Sequence, residues 1–400
     1  MGRIVHIGLG NFARAHLLDY TADAGGWDVV GVSLRSTAVR DGLAAQGHAY
    51  DLCVHGMGVK RIAVLADVLV APENPGAVLQ AMAGAEIISA TVTEKGYHLD
   101  GDGTLDLDDP AIAADLAGQG PATLIGFLAF GLAGRTAPVT VLSCDNRMEN
   151  GTTLKNAVAR FAEAAGLAID WRIVRFPNAM VDRITPATTD EVRAITGDAM
   201  AVPTEAFREW VIEDDFAAGR PDWPGVQFVP DVAPHEMRKL RMLNGAHSLM
   251  AYAGALKGHE FVHQAVRDPA LRQDVERFMK EAAATLPPAV QPQLSAYAAA
   301  LLERFENPGI RHRLRQIAMD GTEKLPYRFV AILREAGADA PTAAMGLRAY
   351  VDFCRAETAE GRALDDPRAE ALAEACGAED PARAILSLIG AADLLPLIPG

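Results

Sequence analysis

The chain contains 400 residues, of which 50% are hydrophobic and 22% are charged. This composition predicts a soluble globular protein with enough core for roughly two or three domains. The formal net charge is −15 at pH 7. Nucleic acids and anionic membrane surfaces bind basic patches, so this charge disfavours both as partners. The sequence also lacks a continuous apolar run of membrane-spanning length.

The cysteines are widely separated in the sequence, at Cys53, Cys144, Cys354 and Cys376. No two have the close spacing of a zinc motif or a small disulfide framework, so we expect reduced thiols and no metal site. An apolar segment begins at Arg3, without the charged, apolar and cleavage regions of a signal peptide. We therefore expect a cytoplasmic protein.

The first half of the chain alternates short β-branched runs with helical ones. The predicted strands are Arg3–Gly8, Trp27–Leu34, Lys60–Val64, Ile87–Thr93, Pro138–Ser143 and Trp171–Arg175. The predicted helices are Asn11–Ala24 and Asn146–Gly166, and the Gly- and Asp-rich segment Gly96–Leu107 predicts a hairpin or loop. Such β-α-β alternation is typical of an α/β fold with a doubly wound parallel sheet.

After about Met237 the sequence becomes rich in Ala and Leu with helical periodicity. The predicted helices are Arg238–Leu256, Asp268–Leu286, Val290–Phe305, Ile310–Met319, Leu325–Ala336, Ala340–Thr358 and Asp366–Cys376. The proline-marked connection Thr185–Pro234 precedes them, with a short strand predicted near Val226–Val229. We therefore predict an α/β domain over residues 1–234 and a mostly α-helical domain over residues 235–400.

A glycine-rich turn follows the first predicted strand and opens a helix. Its residues fit the pattern G-x-G-x-x-A and are Gly8, Leu9, Gly10, Asn11, Phe12 and Ala13. The first glycine permits a tight turn, the second lets the backbone approach a pyrophosphate, and the helix N-terminus favours the anion. The position inside a βαβ unit favours a Rossmann-like dinucleotide site. The alternative is a strand-turn-helix whose glycines serve geometry alone.

The end of the second strand normally contacts the adenosine ribose, and an Asp or Glu at this point selects NAD. Here Arg35 and Ser36 follow the strand, with Arg40 one turn later. These residues leave room for a 2′-phosphate, so the cofactor is predicted to be NAD or NADP. A solvated helix entrance explains the two arginines equally well.

The segment Lys239–His247 places an ammonium, a carboxamide and an imidazole within nine residues of an apolar run. Hydride transfer between an alcohol and a carbonyl needs a base, a donor to the developing oxyanion and a group that fixes the carbon skeleton. On an ideal α-helix, Lys239 and His247 lie about 80° apart and Asn244 about 140° from Lys239, a broad face. A lysine acts as a base only if burial or nearby positive charge lowers its pKa. The alternative is a surface lysine, a capping asparagine and a packed histidine.

Two more polar segments follow predicted strands of the first domain, where open α/β sheets bind ligands. Asn146 ends the run Ser143–Asn146, and Asp182 lies in the run Val181–Pro186. Asn146 also fits a helix N-cap, and Asp182 also fits an ion pair with Arg183 or another nearby arginine.

Together these segments resemble the polyol-specific long-chain dehydrogenases. The matching segments are Ile7–His16, Ser143–Asn146, Met180–Pro186, Lys239–His247, Asn307-Pro308 and Asp320–Pro326. They occur in the order found in the mannitol 2-dehydrogenase family, which includes fructuronate and tagaturonate reductases. The resemblance covers about residues 4 to 330.

The resemblance implies metal-independent, NAD- or NADP-linked interconversion of a secondary alcohol and a ketone on an open-chain polyol such as mannitol, arabinitol or sorbitol. The implied site residues are Lys239 as general acid/base, Asn146 and Asn244 as oxyanion stabilisers, His247 as the substrate-orienting group, Asp182 as a positioning group, and Lys324 as a contact to a distal hydroxyl or carboxylate. Members of this family are often monomers or simple homodimers. Ala13 departs from the family, since many members carry a histidine there.

Two other interpretations stay open. A hexuronate reductase acting on aldonates would need an extra cation, which Lys324 or Arg315 could supply. A catalytically silent dinucleotide-binding sensor is disfavoured, because it has no reason to carry all four of Lys239, Asn146, Asn244 and His247. Zinc-dependent and short-chain dehydrogenases fit poorly, since no ligand-like cysteine cluster and no tyrosine with a lysine four residues later are present.

Overall fold

The structure, a computed structural model, describes residues 2–399, and the chain divides into two compact units, Met1–Ala233 and Pro234–Gly400. The strands of the first unit are β1 (Gly2–Ile7), β2 (Trp27–Ser33), β3 (Tyr50–Val54), β4 (Gly58–Ile62), β5 (Leu65–Val70), β6 (Ile87–Ala90), β7 (Val139–Ser143), β8 (Val174–Arg175), β9 (Ala179–Asp182), β10 (Val202–Thr204), β11 (Glu209–Glu213) and β12 (Gln227–Val229). Its helices are α1 (Asn11–Ala15), α2 (Leu17–Ala24), α3 (Ala38–Ala44), α4 (Pro75–Ala83), α5 (Pro110–Leu116), α6 (Leu124–Leu132), α7 (Asn150–Ala164) and α8 (Asp190–Thr196).

Six of these strands form a parallel sheet in the order β5-β2-β1-β6-β7-β8. The middle strands are apolar and buried because helices cover both faces; Ile4, Val5 and Ile7 of β1 are all fully buried. The predicted doubly wound α/β fold is thus confirmed. The strand order reverses on either side of β1, and the crevice at the carboxyl ends of β1 and β6 is where such sheets bind ligands.

The predicted third strand belongs to a different sheet. The segment predicted as Lys60–Val64 is β4, which pairs antiparallel with β3, with Tyr50 opposite Ile62. The two strands form a hairpin because the connecting turn contains Gly56 (φ +76°) and Gly58 (φ +102°), conformations that favour glycine. The strand that joins the large sheet is β5, which the sequence analysis did not predict.

Two predicted helices are shorter than expected. The helix predicted over Asn11–Ala24 is divided into α1 and α2 at His16, whose N–H donates to the Ala13 carbonyl and tightens the turn. The helix predicted to begin at Asn146 begins at Asn150 instead, after Glu149 at φ +48°. Asn146 is therefore not the N-cap of this helix.

A cluster of ion pairs surrounds Asp19 on α2. The Asp19 carboxylate accepts from Lys60 Nζ at 2.5 Å, Arg183 Nη1 at 2.6 Å and Arg208 Nη1 at 2.7 Å. Lys60 and Arg208 also pair with Asp23. We call these five residues the Asp19 cluster. Since Lys60 lies on β4 and Arg183 follows β9, the cluster fixes α2 against both small sheets.

The second unit is built from helices: α9 (Ala233–Arg238), α10 (Gly245–Leu256), α11 (Val262–Ala265), α12 (Pro269–Ala284), α13 (Leu294–Glu306), α14 (Leu314–Ala318), α15 (Gly321–Leu325), α16 (Ala331–Ala336), α17 (Pro341–Ala359), α18 (Ala369–Cys376) and α19 (Pro381–Leu388). Two π-helices join them, Lys239–Asn244 between α9 and α10 and Pro326–Val330 between α15 and α16.

Helix α10 is the centre of this unit. It packs against α12, α14 and α17, and nearly all of its side chains are buried, as expected for a helix that is apolar all round. The mostly helical character predicted for this part of the chain is confirmed. Within residues 2–399, none of the helices combines the length and the apolar character needed to cross a membrane.

Candidate active site

The turn after β1 requires a glycine. Gly8 adopts φ +95°, and a Cβ built on it would lie 2.0 Å from the Thr91 carbonyl oxygen at the end of β6. The Gly8 N–H donates to the Val32 carbonyl at 2.9 Å, and the Gly8 carbonyl accepts from the Thr91 hydroxyl at 2.7 Å. The turn is therefore locked across the point where the strand order reverses.

The second glycine of the turn faces open space. A Cβ built on Gly10 would meet only the Gly8 carbonyl oxygen, at 4.0 Å. Ala13 is fully buried, and Phe12 stacks on His16 with ring centroids 5.0 Å apart. The backbone of Gly10 is thus open to a ligand while α1 packs closely on the sheet, an arrangement that fits the pyrophosphate of a dinucleotide.

A buried polar network supports this turn, and sequence analysis missed it. His6 Nδ1 lies 2.9 Å from Ser89 Oγ, and His6 Nε2 lies 3.0 Å from Thr91 Oγ1. Burial lowers the pKa of His6 to about 4, so the imidazole is neutral. Asn11 is held in a similar way, because it accepts from Arg14 Nη2 and donates to Thr188 Oγ1. In the sequence, only the alternation of residues along the strands indicates that His6 and Ser89 face the same way.

The region predicted to read the ribose contains two arginines in different states. Arg40 bonds to Glu73 with both terminal nitrogens and to Asp41 through Nε. Arg35 is exposed at the end of β2, next to Ser36, whose carbonyl accepts from Ser33 Oγ. Arg35 is therefore better placed than Arg40 to meet an added anion.

The Ser143–Asn146 segment is a tight turn at the end of β7. Asp145 Oδ1 accepts from the N–H groups of Val92 and Thr93, both at 2.9 Å, and Oδ2 accepts from Tyr97 Oη at 3.2 Å. Burial raises the pKa of Asp145, and these backbone N–H donors oppose the rise. The aspartate thus ties the loop after β6 to the turn that carries Asn146.

Asn150 connects this turn to the strand that carries Asp182. It is fully buried, and its Nδ2 donates to the carbonyls of Ser143, Asp145 and Ala179, while its Oδ1 accepts from the Ala179 N–H. Asp182 lies three residues beyond Ala179 on β9 and is 4% exposed. The two predicted residues Asn146 and Asp182 are therefore on segments that one asparagine joins. Arg183 faces Asp19 and belongs to the Asp19 cluster.

The geometry expected for Lys239 and Asn244 on an ideal α-helix is wrong, because the segment between them is a π-helix. In a π-helix, hydrogen bonds link residues five apart, so two residues at this spacing lie on the same side. Lys239 and Asn244 are five apart and form the two ends of the π-helix. The broad face inferred from the sequence is therefore narrower, and single π-helical turns occur frequently at functional sites.

The charged neighbours of Lys239 have structural partners. Arg238 Nη1 donates to Gln293 Oε1 and its guanidinium lies 4.2 Å from the Tyr297 ring centre, while Arg241 forms two bonds to Glu335. Lys239 itself is 9% exposed. Gly245 directly follows the π-helix, and a Cβ built on it would lie 2.6 Å from the Phe278 ring. The glycine therefore allows close packing at this point.

His247 follows on the first turns of α10. Its side chain is 8% exposed and packs against Phe305, with ring centroids 4.8 Å apart. Burial lowers the pKa of His247 well below its usual range, and repulsion from His312 in its protonated form, from Arg304 and from Arg328 adds to this effect. The imidazole is therefore neutral at pH 7 and has one donor and one acceptor nitrogen.

The two cationic side chains that were predicted to bind substrate have different partners. Lys324 Nζ donates to the Met319 carbonyl at 2.7 Å and lies 3.2 Å from Asp320 Oδ2, after a turn in which Asp320 adopts φ +54°. Arg315 binds both carboxylate oxygens of Glu357. Arg315 is therefore paired with a buried carboxylate, whereas Lys324 follows a strained turn of the type found at binding sites.

Comparison with known proteins covers both units. The mannitol dehydrogenase Rossmann domain matches residues 2–225, and the mannitol dehydrogenase C-terminal domain matches residues 231–393. The chain is 38% identical to mannitol 2-dehydrogenase of Phaeosphaeria nodorum, over 92% of this chain and 72% of that protein. It is 39% identical to D-mannonate oxidoreductase of Escherichia coli, over 91% of this chain and 82% of that protein.

Solved structures agree. The structure is similar to Pseudomonas fluorescens mannitol 2-dehydrogenase in a ternary complex with NAD and D-mannitol, with a TM-score of 0.80 and 32% identity over 99% of this chain and 93% of that one. It is also similar to D-sorbitol dehydrogenase in substrate-free form, with a TM-score of 0.86 and 29% identity over 99% and 94% of the two chains. The chain therefore belongs to the mannitol dehydrogenase family and is an oxidoreductase with an NAD-type cofactor.

Proposed function

We propose that this protein interconverts a secondary alcohol of an open-chain polyol and the corresponding ketose, with Lys239 as general acid/base. The observation that carries the proposal is the π-helix Lys239–Asn244, which begins at a buried lysine and ends at an asparagine on the same side. The Lys239 side chain is 9% exposed, so the proposed base lies away from bulk solvent. The similarity to mannitol and sorbitol dehydrogenases supports the substrate class.

The first unit supplies the cofactor site. The Gly8–Ala13 turn would hold the pyrophosphate, and Arg35 and Ser36 would contact the adenosine ribose. A bound nicotinamide would supply the hydride acceptor or donor. Asn146, held on its turn by Asp145 and Asn150, would donate its carboxamide hydrogen to the reacting oxygen.

The second unit supplies the proton-handling residues. Lys239 would take the hydroxyl proton during oxidation and return it during reduction. Asn244 would donate a hydrogen bond to the same oxygen as Asn146, because negative charge develops there as the carbinol becomes a carbonyl. The neutral imidazole of His247, with one donor and one acceptor nitrogen, would bind substrate hydroxyls. Asp182 would position the site, and Lys324 would contact the far end of the substrate.

A second candidate function is reduction of a hexuronate to an aldonate. The observation that favours it is the positive charge of Arg304 and Arg328 near His247, which adds to burial in lowering the pKa of the imidazole. An anionic substrate is favoured in such surroundings. Similarity to the D-mannonate oxidoreductase of Escherichia coli supports this candidate. Arg315 is a weaker candidate for the carboxylate than Lys324 because it is paired with Glu357.

The first experiment is a reduced-nicotinamide absorbance assay in the presence of EDTA. The purified protein is offered NAD or NADP with mannitol, arabinitol, sorbitol, mannonate or altronate. Turnover on a polyol supports the first function, and turnover only on the aldonates supports the second. Dinucleotide binding without turnover on any of these compounds contradicts both and indicates a silent sensor.

The role of Lys239 is tested with Lys239→Ala. We expect kcat to fall by roughly 10²- to 10⁴-fold, the usual contribution of general acid–base catalysis, while dinucleotide binding changes little. The matched control is Lys257→Ala, since Lys257 is a half-exposed lysine at the end of α10 that pairs with Asp268. Activity of Lys239→Ala within a few-fold of wild type would show that another group is the base.

A further inference from the structure

His312 lies on a short segment between α13 and α14, and the segment Glu260–Val262 holds it in place through backbone hydrogen bonds. The Val262 N–H donates to the His312 carbonyl at 3.1 Å, and the Leu314 N–H donates to the Glu260 carbonyl at 2.9 Å. Phe261 and Arg313 form an isolated antiparallel bridge between these two segments. The backbone on both sides of His312 is thus fixed, so its side chain starts from a defined position.

The imidazole of His312 lies beside the predicted substrate-orienting residue. The ring centroids of His247 and His312 are 5.3 Å apart, and the rings are almost perpendicular, at 80°. His312 Nδ1 is buried and has no hydrogen-bond partner among residues 2–399. A buried polar atom left unsatisfied costs about 1–3 kcal/mol, so such an atom beside a predicted site calls for a ligand or a water.

The charges around this pair are mainly positive. Burial and the ammonium of Lys324 both lower the pKa of His312, so its imidazole is neutral at pH 7. Arg328 lies near His247 and donates to Ser248 Oγ at 2.7 Å, and burial lowers its pKa to about 10. Asp320 is the acid that pairs with Lys324, and its side chain is 38% exposed. A partly exposed carboxylate offsets a lysine less than a buried one does, so these surroundings favour an anion.

We propose that His312 is a substrate-specificity residue, and that its buried Nδ1 and the Lys324 ammonium together bind the carboxylate end of an open-chain sugar acid. The proposal rests on the function proposed above, because it assumes that His247 lies in the substrate site. Nδ1 carries the proton in the bound state and donates to a carboxylate oxygen, and Lys324 donates to the same group. The proposal thus favours the second candidate function, with aldonates rather than uncharged polyols as preferred substrates.

The test compares His312→Phe and His312→Asn with wild type on mannonate and on mannitol. Phe keeps the ring and removes both nitrogens, so we expect KM for mannonate to rise about tenfold with kcat nearly unchanged. KM for mannitol should change less than threefold. Asn provides a donor near the Nδ1 position, so it should recover most of the mannonate affinity.

His263 provides the matched control. In the part of the chain that the structure describes, its Nδ1 is also buried without a hydrogen-bond partner, and its ring stacks on Phe261, with centroids 5.6 Å apart. His263→Phe should leave the ratio of the mannonate and mannitol KM values at its wild-type value. An unchanged ratio in His312→Phe, or equal effects in both phenylalanine variants, would overturn the assignment of His312. If the wild-type protein turned over neither mannonate nor mannitol, this result would instead contradict the proposed function itself.

Discussion

Two buried polar clusters in this molecule have opposite electrostatic character. In the Asp19 cluster, one carboxylate that is 2% exposed accepts from three cations, and a second carboxylate, Asp23, accepts from two of them. Around His247 and His312, by contrast, the charged neighbours include the cationic Arg328 and Lys324 and the partly exposed Asp320, and His312 Nδ1 has no hydrogen-bond partner within residues 2–399.

The difference separates groups that stabilise the fold from groups that bind ligands. Oppositely charged side chains that pair with one another hold their positions without a ligand. Removing one of them leaves its buried partners unpaired. Like charges held together weaken the folded state, and an anionic ligand relieves that cost when it binds. We therefore expect substitutions in the first cluster to change stability and substitutions in the second to change substrate affinity.

The largest expected effect in this comparison is that of Asp19→Asn. Loss of the carboxylate leaves Arg183 buried without its ion partner, which typically costs about 3–5 kcal/mol. Urea unfolding measures the loss, and KM of the remaining folded enzyme should be unchanged. Asp23→Asn is the control, since Asp23 is more exposed and should cost less than about 1 kcal/mol. A large change in KM for Asp19→Asn would break the distinction between the clusters.

An ion cluster in the second unit tests the same distinction through pH. Glu357 pairs with Arg362 and Arg315, and the hydrogen bond from Arg362 is the main reason that the pKa of Glu357 is lowered from 4.5 to about 2. A depressed folded-state pKa contributes stability above pH 4.5, and this contribution is lost as the pH falls towards 2. The difference in Tm between wild type and Glu357→Gln should therefore be largest above pH 5 and shrink on acidification. A difference that stays constant with pH would contradict this role.

The smallest expected effect concerns the two arginines near the ribose. Arg35→Ser should weaken NADP binding about tenfold and NAD binding less than threefold, because only NADP carries the 2′-phosphate that an exposed arginine can contact. Arg40→Ser should change the preference less, since Glu73 and Asp41 already neutralise Arg40. Fluorescence titration of both dinucleotides measures the affinities. Equal effects of the two substitutions would show that pairing with carboxylates does not remove an arginine from the site.

Much of the fold could be predicted because buried parallel strands are continuous apolar runs and helices have their own period. The strands β1, β2, β6 and β7 were predicted to within a few residues. The assignment of Lys60–Val64 to the large sheet was wrong because strand pairing is a tertiary property, here set by the Gly56 to Gly58 turn. The break at His16 and the late start of α7 at Asn150 also depend on local backbone bonds that no periodicity records.

The site was predictable where a motif has a mechanical reason. Gly8 is such a position, because its φ and the nearby Thr91 carbonyl exclude a side chain. Sequence analysis missed His6, Asp145 and Asn150 because each bonds to a partner more than 25 residues away along the chain. The roles of Lys239, Asn146, Asn244, His247 and Asp182 stay predictions until their variants are measured.

The π-helix between Lys239 and Asn244 makes the site depend on the length of the chain as well as its chemistry. A π-helical turn contains one residue more than an α-helical turn. Deletion of a single residue such as Met242 would let the segment close as a regular α-helix, and α10 could keep its packing. Lys239 would then rotate by about 100° relative to His247. A chain with every proposed functional side chain intact and one residue fewer would retain the fold and lose the alignment that the proposed proton transfer requires.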